Sequence, residues 1–179
     1  AFGAMGSVEL RARRALPEDR EAIKDLVINN HLALSRDEPE ELAAQIEDVS
    51  ADFPVILDPA RFNRSVHFLV ETSEGDVAAA AGIFEDAGGV LAPDGGWWLC
   101  SVTTREAYRR RGLARRCCEL ALAEAQARGV KRVRLGTLLE HSEAAWKLYE
   151  SLGFVETARE VVRETPRRMT LLTYEKLLD

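Results

Sequence analysis

One nearly continuous run of apolar residues constrains the fold more than any other part of this 179-residue sequence. Residues 97–103 read WWLCSVT, a pattern typical of a strand that is buried on both faces of a sheet. Apolar residues at helical spacing follow from Gly112 to about Arg128, and residues 130–139 are predicted to form another strand. A strand, a helix and a further strand in this order predict a mixed sheet that is covered by helices on both faces.

The remaining elements extend this sheet along the chain. Before the strand at residues 97–103, we predict a strand at residues 8–16, a helix at 17–34 and a second helix that begins near 38–40. A loop at 53–63 and two hairpin strands at 65–72 and 77–85 follow. After residue 139 we predict a helix at 142–152 and two strands at 154–163 and 169–178. The predicted fold class is α/β with a mixed α+β sheet, in the order β-α-α-β-β-β-α-β-α-β-β.

Composition and charge narrow the class of protein. Apolar residues make up 46 % and charged residues 30 % of the chain, which is the composition of a globular protein. Lysine and arginine number 24 against 30 acidic residues, so the net charge is −6 and we expect no nucleic-acid partner. The apolar runs are too short to span a membrane. We expect one domain over residues 8–179 and interpret residues 1–7, AFGAMGS, as a remnant of tag removal.

Three cysteines and three histidines show neither a disulfide framework nor a zinc-binding spacing. Free thiols are typical of a reducing compartment. Residues 1–7 have neither the charged start nor the apolar centre of a signal peptide. We therefore expect a cytoplasmic protein that holds no metal ion.

The segment between the central strand and its helix is the strongest indication of function. Six arginines lie between Arg105 and Arg116, and small residues, Gly112 and Ala114, stand at the predicted helix start. Small residues let a ligand approach the backbone, and the unpaired N–H groups and dipole of a helix start attract anions. A solvated basic face is the alternative, although it does not require small residues at these positions. The pattern favours a polyanionic phosphate ligand.

Two motifs resemble those of a known family. RRRGLA at residues 109–114 resembles motif A of the GNAT superfamily of acetyl-CoA-dependent N-acyltransferases, and AWKLYESLGF at 145–154 is similar to its motif B. The resemblance implies a GNAT-like fold in which the parallel strands at 97–102 and 132–138 splay apart to admit the pantetheine. It also implies transfer of an acetyl group from acetyl-CoA to a primary amine of a small molecule or peptide, by direct attack in a ternary complex.

The same resemblance implies a set of cofactor contacts. Ser101 and Val102 match positions whose main chain bonds the acetyl carbonyl and the pantetheine arm. Ser142 matches a position that is asparagine in many members and touches the pantetheine. The residues that match the pyrophosphate loop are Arg109, Arg110, Arg111, Gly112, Leu113, Ala114 and Arg115.

The resemblance indicates a candidate for the catalytic acid, but it leaves the catalytic base open. Tyr149 matches the tyrosine that often protonates the leaving thiolate of coenzyme A, although its place in an apolar helical stripe also fits core packing. Many members carry a glutamate base on the fourth strand, but residues 97–102 contain no carboxylate. Glu85 and His141 are the side-chain candidates for the base, and a water chain to a backbone carbonyl is the alternative.

Other functions fit the same residues. The missing strand carboxylate and Ser142 are compatible with a module that binds CoA as a sensor or structural partner without turnover. A nucleic-acid binder that uses the arginine cluster is disfavoured by the net charge. We expect the amine acceptor to contact the N-terminal helices, residues 53–63 and the final hairpin; a homodimer and a preference for another acyl-CoA are left open.

Overall fold

A mixed sheet of seven strands forms the centre of the computed structural model, which describes residues 8–34, 52–140, 142–164 and 168–179. The strands are β1 (Leu10–Arg14), β2 (Val66–Thr72), β3 (Val77–Glu85), β4 (Trp97–Thr104), β5 (Arg132–Leu138), β6 (Val155–Arg163) and β7 (Met169–Leu177). Their order across the sheet is β1-β2-β3-β4-β5-β7-β6. β4 and β5 are parallel neighbours, and the other neighbouring pairs among these strands are antiparallel. The predicted mixed sheet and its parallel pair are confirmed.

Helices cover both faces of this sheet. They are α1 (Arg20–Leu34), α2 (Asp52–Leu57), α3 (Pro59–Arg64), α4 (Leu113–Ala127) and α5 (Glu143–Ser151). Short 3-10 turns at Pro17–Asp19 and Glu106–Tyr108 precede α1 and α4. In the described part of the chain, no helix is both long and apolar enough to cross a membrane. The helix predicted to begin near residues 38–40 lies outside the described residues.

The loop predicted at residues 53–63 is wrong, because this stretch forms α2 and α3. Pro59 is the first residue of α3, where the backbone N–H that proline lacks would have no partner within the helix. Asp58 caps the same helix by accepting a hydrogen bond from the backbone nitrogen of Ala60 at 2.9 Å. Pro54 likewise lies in the first turn of α2. Both prolines therefore mark the starts of helices.

Two hydrophobic clusters lie on opposite faces of the sheet. Leu69 and Val70 are consecutive in β2 but belong to different clusters, because successive strand side chains point to opposite faces. Leu69 packs with Ile23 of α1 and Ile56 of α2. Val70 belongs to the larger cluster, which includes Leu122 of α4 and residues of α5. The helices that follow β4 and β5 thus share one face, and the helices before β2 occupy the other.

Candidate functional site

The parallel strand pair opens into a cleft. The described sheet pairs β4 with β5 at Trp97–Val133 and Trp98–Arg134 and at no residue beyond them, although β4 continues to Thr104. Beyond Trp98 and Arg134, the backbone N–H and C=O groups on the facing edges of the two strands are therefore not hydrogen-bonded to each other. α4 begins after β4 and α5 begins after β5, so both helix starts lie at the open end of the cleft. Ligands of open α/β sheets bind at such carboxyl ends of parallel strands.

A bulge in β4 lies where the cleft opens. The register with β3 shifts between the pairs Ala80–Thr103 and Gly82–Cys100, so that Ser101 and Val102 lie opposite a single residue. Ser101 is fully buried and has a φ of +54°, a left-handed conformation that is uncommon for residues other than glycine. The bulge therefore takes the backbone of Ser101 and Val102, the predicted contacts of the acetyl carbonyl and the pantetheine arm, out of the regular ladder with β3.

The loop that precedes α4 contains two residues with a positive φ. Arg109 is extended, with a φ of −63° and a ψ of 159°, whereas φ is +63° at Arg110 and +73° at Gly112. Backbone N–H groups exposed in a turn of this kind make a concave site for an anion. A Cβ atom built on Gly112 would meet no described atom within 4 Å, so the space beside this glycine is open.

The side chain of Arg109 lies against α1. Its Nη2 donates to Oδ1 of Asn30 at 3.2 Å, and the Nδ2 of Asn30 donates to the carbonyl oxygen of Thr104 at 3.0 Å. The sequence analysis gave Asn30 no role in the site, although its spacing from Ile23, Leu26 and Val27 places this polar residue on the buried stripe of the helix. The predicted phosphate loop is thus anchored on the helix of the opposite face.

Arg111 and Arg115 are also engaged by neighbouring residues. The guanidinium of Arg111 lies over the ring of Tyr108, 5.4 Å from its centroid. Arg115 donates from Nη1 to Oγ of Ser151 at 2.8 Å and so connects α4 to the end of α5. The other predicted contact residues here are Arg110, which is exposed, and Leu113 and Ala114, which form the first turn of α4.

α5 carries the two predicted site residues of motif B. The Oγ of Ser142 accepts from the backbone nitrogen of Ala145 at 3.2 Å and thereby caps α5. A serine hydroxyl that accepts one bond still has its proton to donate. Tyr149 lies two turns further on and is 7 % exposed, with its ring centroid 6.3 Å from that of Phe154 and 6.5 Å from that of Tyr174. Tyr149 therefore belongs to the core cluster, as its apolar stripe indicates.

Glu85 lies apart from these residues. It is exposed and pairs with Trp97 at the start of β4, four residues before Ser101. At about 3.3 Å per strand residue, this spacing separates Glu85 from the bulge by roughly 13 Å. The structure thus places the bulge, the loop before α4 and the start of α5 toward the carboxyl ends of β4 and β5, whereas Glu85 lies beside the start of β4. His141, the other candidate base, lies outside the described residues.

One buried polar side chain beside the bulge was also missed by the sequence analysis. Nε2 of His67 in β2 lies 3.0 Å from Oγ of Ser101. Burial lowers the pKa of His67 to about 3, because an environment without water disfavours the charged imidazolium. The available indication was a histidine in an apolar strand followed by the small-residue run of β3, Ala78–Ala81.

All three cysteines lie in the described part of the chain as buried thiols, and burial raises the pKa of Cys117 to about 12. Among the described side chains, no group of three or more His, Cys, Asp or Glu residues is placed to hold a metal ion.

Comparison with known proteins identifies the family. Residues 28–154, well over half of the chain, match the model of the acetyltransferase (GNAT) family. The chain belongs to the GNAT family. No curated protein matches the GNAT chain described here.

Solved structures share this GNAT fold. An N-acetyltransferase from Staphylococcus aureus Mu50 is 21 % identical with a TM-score of 0.66, over 96 % of this chain and 99 % of that one. The protein yncA from Salmonella typhimurium, solved with its cofactor acetyl-CoA, is 22 % identical with a TM-score of 0.66, over 95 % and 94 %. A GCN5-related N-acetyltransferase from Kribbella flavida is 20 % identical with a TM-score of 0.64, over 94 % and 98 %. The predicted GNAT-like fold is confirmed.

Proposed function

We propose that this GNAT protein is an N-acetyltransferase that binds acetyl-CoA between β4 and β5 and acetylates a primary amine of a small molecule or peptide. The observation that carries the proposal is the divergence of β4 and β5 after Trp98, with the Ser101 bulge and two helix starts at the open end. Family membership supports acetyl transfer, and the acetyl-CoA in the similar yncA structure supports the same ligand here.

The residues of the cleft fit the parts of acetyl-CoA. The N–H groups of the loop from Arg109 to Gly112 and the start of the 15-residue helix α4 suit the pyrophosphate, since both favour negative charge. The open space beside Gly112 lets a phosphate come close to the backbone. Beyond Trp98, the facing edges of β4 and β5 are not hydrogen-bonded to each other, so their backbone amides can bind the pantetheine. The hydroxyl group of Ser142 can donate a further hydrogen bond to the pantetheine.

Acetyl-CoA supplies an activated thioester, and the chain supplies orientation and hydrogen bonds. Backbone N–H groups at Ser101 and Val102 polarise the acetyl carbonyl, which stabilises the oxyanion that forms when the amine attacks. When both substrates are held in one cleft, the entropic cost of bringing them together is met on binding and no longer adds to the barrier of the chemical step. The phenol of Tyr149 then protonates the departing thiolate.

The proton of the attacking amine needs an acceptor. Of the two predicted side-chain bases, Glu85 lies within the residues that the structure describes. Because Glu85 is far from the bulge, it acts on the amine only through intervening water. This separation also favours a second candidate function, a GNAT-fold module that binds CoA without turnover. We propose that residues 8–179 act as one domain in either case.

An amine panel separates the two functions. The protein is incubated with acetyl-CoA and amino acids, polyamines, aminoglycosides or peptides with free N-termini, and released thiol and acetylated product are measured. Amine-dependent thiol release with an acetylated product supports the transferase. Calorimetric binding of acetyl-CoA without release across the panel supports the non-catalytic module, and absence of binding contradicts both.

A further inference from the structure

A series of hydrogen bonds, which is fully buried at its β4 end, connects α3 to the bulge of β4. Oγ of Ser101 lies 3.0 Å from Nε2 of His67, and Nδ1 of the same imidazole lies 2.9 Å from Oγ of Ser65. Ser65 donates its hydroxyl proton to the carbonyl oxygen of Phe62 at 2.7 Å. His67 is 2 % exposed and Ser101 is fully buried, so the bond between them is shielded from water.

The direction of each bond follows from the number of protons. Ser65 has one hydroxyl proton, and because Phe62 receives it, Oγ of Ser65 can only accept from His67. Nδ1 of His67 therefore carries a proton. Burial keeps the imidazole neutral, so Nε2 carries none and accepts the hydroxyl proton of Ser101. The hydrogen bond of Ser65 to the carbonyl oxygen of Phe62 in α3 thus determines which nitrogen of His67 carries the proton.

Gly82 allows this contact across the strand that separates β2 from β4. His67 pairs with Gly82, and Gly82 pairs with Cys100. A Cβ atom on Gly82 would lie 2.5 Å from Cδ2 and 2.6 Å from Nε2 of the imidazole. The ring therefore lies over the backbone of Gly82, and its Nε2 reaches β4, where Sγ of Cys100 also lies 3.7 Å away.

The conformation of Ser101 needs such support. A φ of +54° brings Cβ close to the following carbonyl group, which makes this region unfavourable for residues other than glycine. Strained backbone of this kind persists when the surrounding contacts hold it. The buried bond to His67 is a contact of this kind, and it is made by the side chain of the strained residue itself.

We propose that His67 is a positioning residue for acetyl transfer, which holds the left-handed bulge at Ser101 and so directs the backbone N–H groups of the bulge toward the acetyl carbonyl. The inference rests on the proposed transferase function. His67 acts through Ser101, from the face of the sheet that carries α3, where its ring packs 4.6 Å from that of Phe62.

Two substitutions at position 67 separate the bond to Ser101 from the bond to Ser65. In His67→Gln, the side chain is long enough to place an amide oxygen near the position of Nε2, where it accepts from Ser101. In His67→Asn, the shorter side chain reaches only the position of Nδ1. We expect His67→Asn to lower kcat by about 10- to 100-fold with a change in KM for acetyl-CoA below about threefold, because misplaced contacts cost rate. His67→Gln should retain most of the wild-type kcat, and circular dichroism checks that both variants fold.

A glycine at position 101 tests the link to the bulge. Glycine adopts a positive φ without support from a side chain. In the Ser101→Gly background, His67→Asn should therefore change kcat by less than about threefold. The inference is overturned if His67→Asn lowers kcat by the same factor in both backgrounds, or if folded His67→Asn keeps the wild-type kcat.

Nuclear magnetic resonance gives a readout that does not depend on turnover. In the ¹⁵N-labelled wild type, His67 should show a protonated Nδ1, and the scalar coupling of Ser101 should report a positive φ. The φ of Ser101 should change in His67→Asn and persist in His67→Gln. If wild-type protein acetylates amines while Ser101 keeps its φ in His67→Asn, this inference alone fails. If the φ of Ser101 changes in His67→Asn as expected but the wild type shows no acetyl-CoA-dependent acetylation, both the proposed function and the catalytic role of His67 are wrong.

Discussion

Asn30 of α1 and Arg109 of the loop after β4 are joined by a hydrogen bond of 3.2 Å, although they are 79 residues apart in the sequence. The same asparagine donates to Oγ1 of Thr103 and to the carbonyl oxygen of Thr104 at the end of β4. One half-buried amide therefore holds α1, β4 and the loop of motif A together.

Asn30→Ala should destabilise the protein by about 1–2 kcal/mol, because polar groups at the end of β4 lose their partner. Urea unfolding followed by circular dichroism measures this change. Asn29→Ala is the matched control, since Asn29 is exposed on the same helix and the gain in helix propensity is the same in both variants. Equal unfolding free energies for the two variants would show that the Asn30 contacts contribute nothing.

Gly112→Ala should weaken acetyl-CoA binding strongly. The added Cβ occupies the open space beside the loop and forces a φ of +73° on alanine. Gly129→Ala is the control at the other end of α4, because Gly129 also has a positive φ, of +76°, and also faces open space. Both variants should lose about 1–2 kcal/mol of stability, because alanine is unfavourable in the left-handed region, but only Gly112→Ala should lose affinity in isothermal titration calorimetry. Equal affinities would contradict the assignment of the phosphate loop.

Tyr149→Phe should lower the single-turnover rate of acetyl transfer by roughly 10²-fold, because a positioned acid contributes about that much to thiolate departure. Single-turnover measurement avoids masking by product release. Tyr174→Phe is the control, since this neighbouring phenol donates to Oε1 of Glu150 and is assigned no part in the reaction. Full activity of Tyr149→Phe would show that Tyr149 serves packing alone.

The buried imidazole of His67 should make the native state sensitive to mild acid. Its pKa is about 3 in the folded protein against an ordinary value of 6.5, so below pH 6.5 the unfolded chain binds a proton that the native state does not. Stability is therefore lost as the pH falls, and between pH 7 and pH 5 the loss from this group is about 2 kcal/mol. Urea unfolding of wild type and His67→Gln across this range measures it, because the variant lacks this titration. Parallel stability curves would contradict the burial of a neutral His67.

The resemblance of the two motifs to those of a known family implied the central parallel pair. The sequence by itself determined the order of the seven strands along the chain and the positions of both motifs. These features depend on local patterns: apolar spacing along each element, glycine and proline at element ends, and short runs of contiguous residues. The error at residues 53–63 has the same origin, because Pro54 and Pro59 fit either a loop or the first turn of a helix, and only packing of α2 and α3 against the sheet decides between them.

The tertiary structure alone decided where β4 leaves β5, where β4 bulges and which side chains support the bulge. Sequence periodicity places Glu85 and Ser101 on neighbouring strands, but only the register shows the roughly 13 Å between them. His67 reaches Ser101 only because Gly82 stands between them without a side chain. Such relations depend on the registers of three adjacent strands and on the volume of the residue in the middle strand, and a one-dimensional pattern specifies neither.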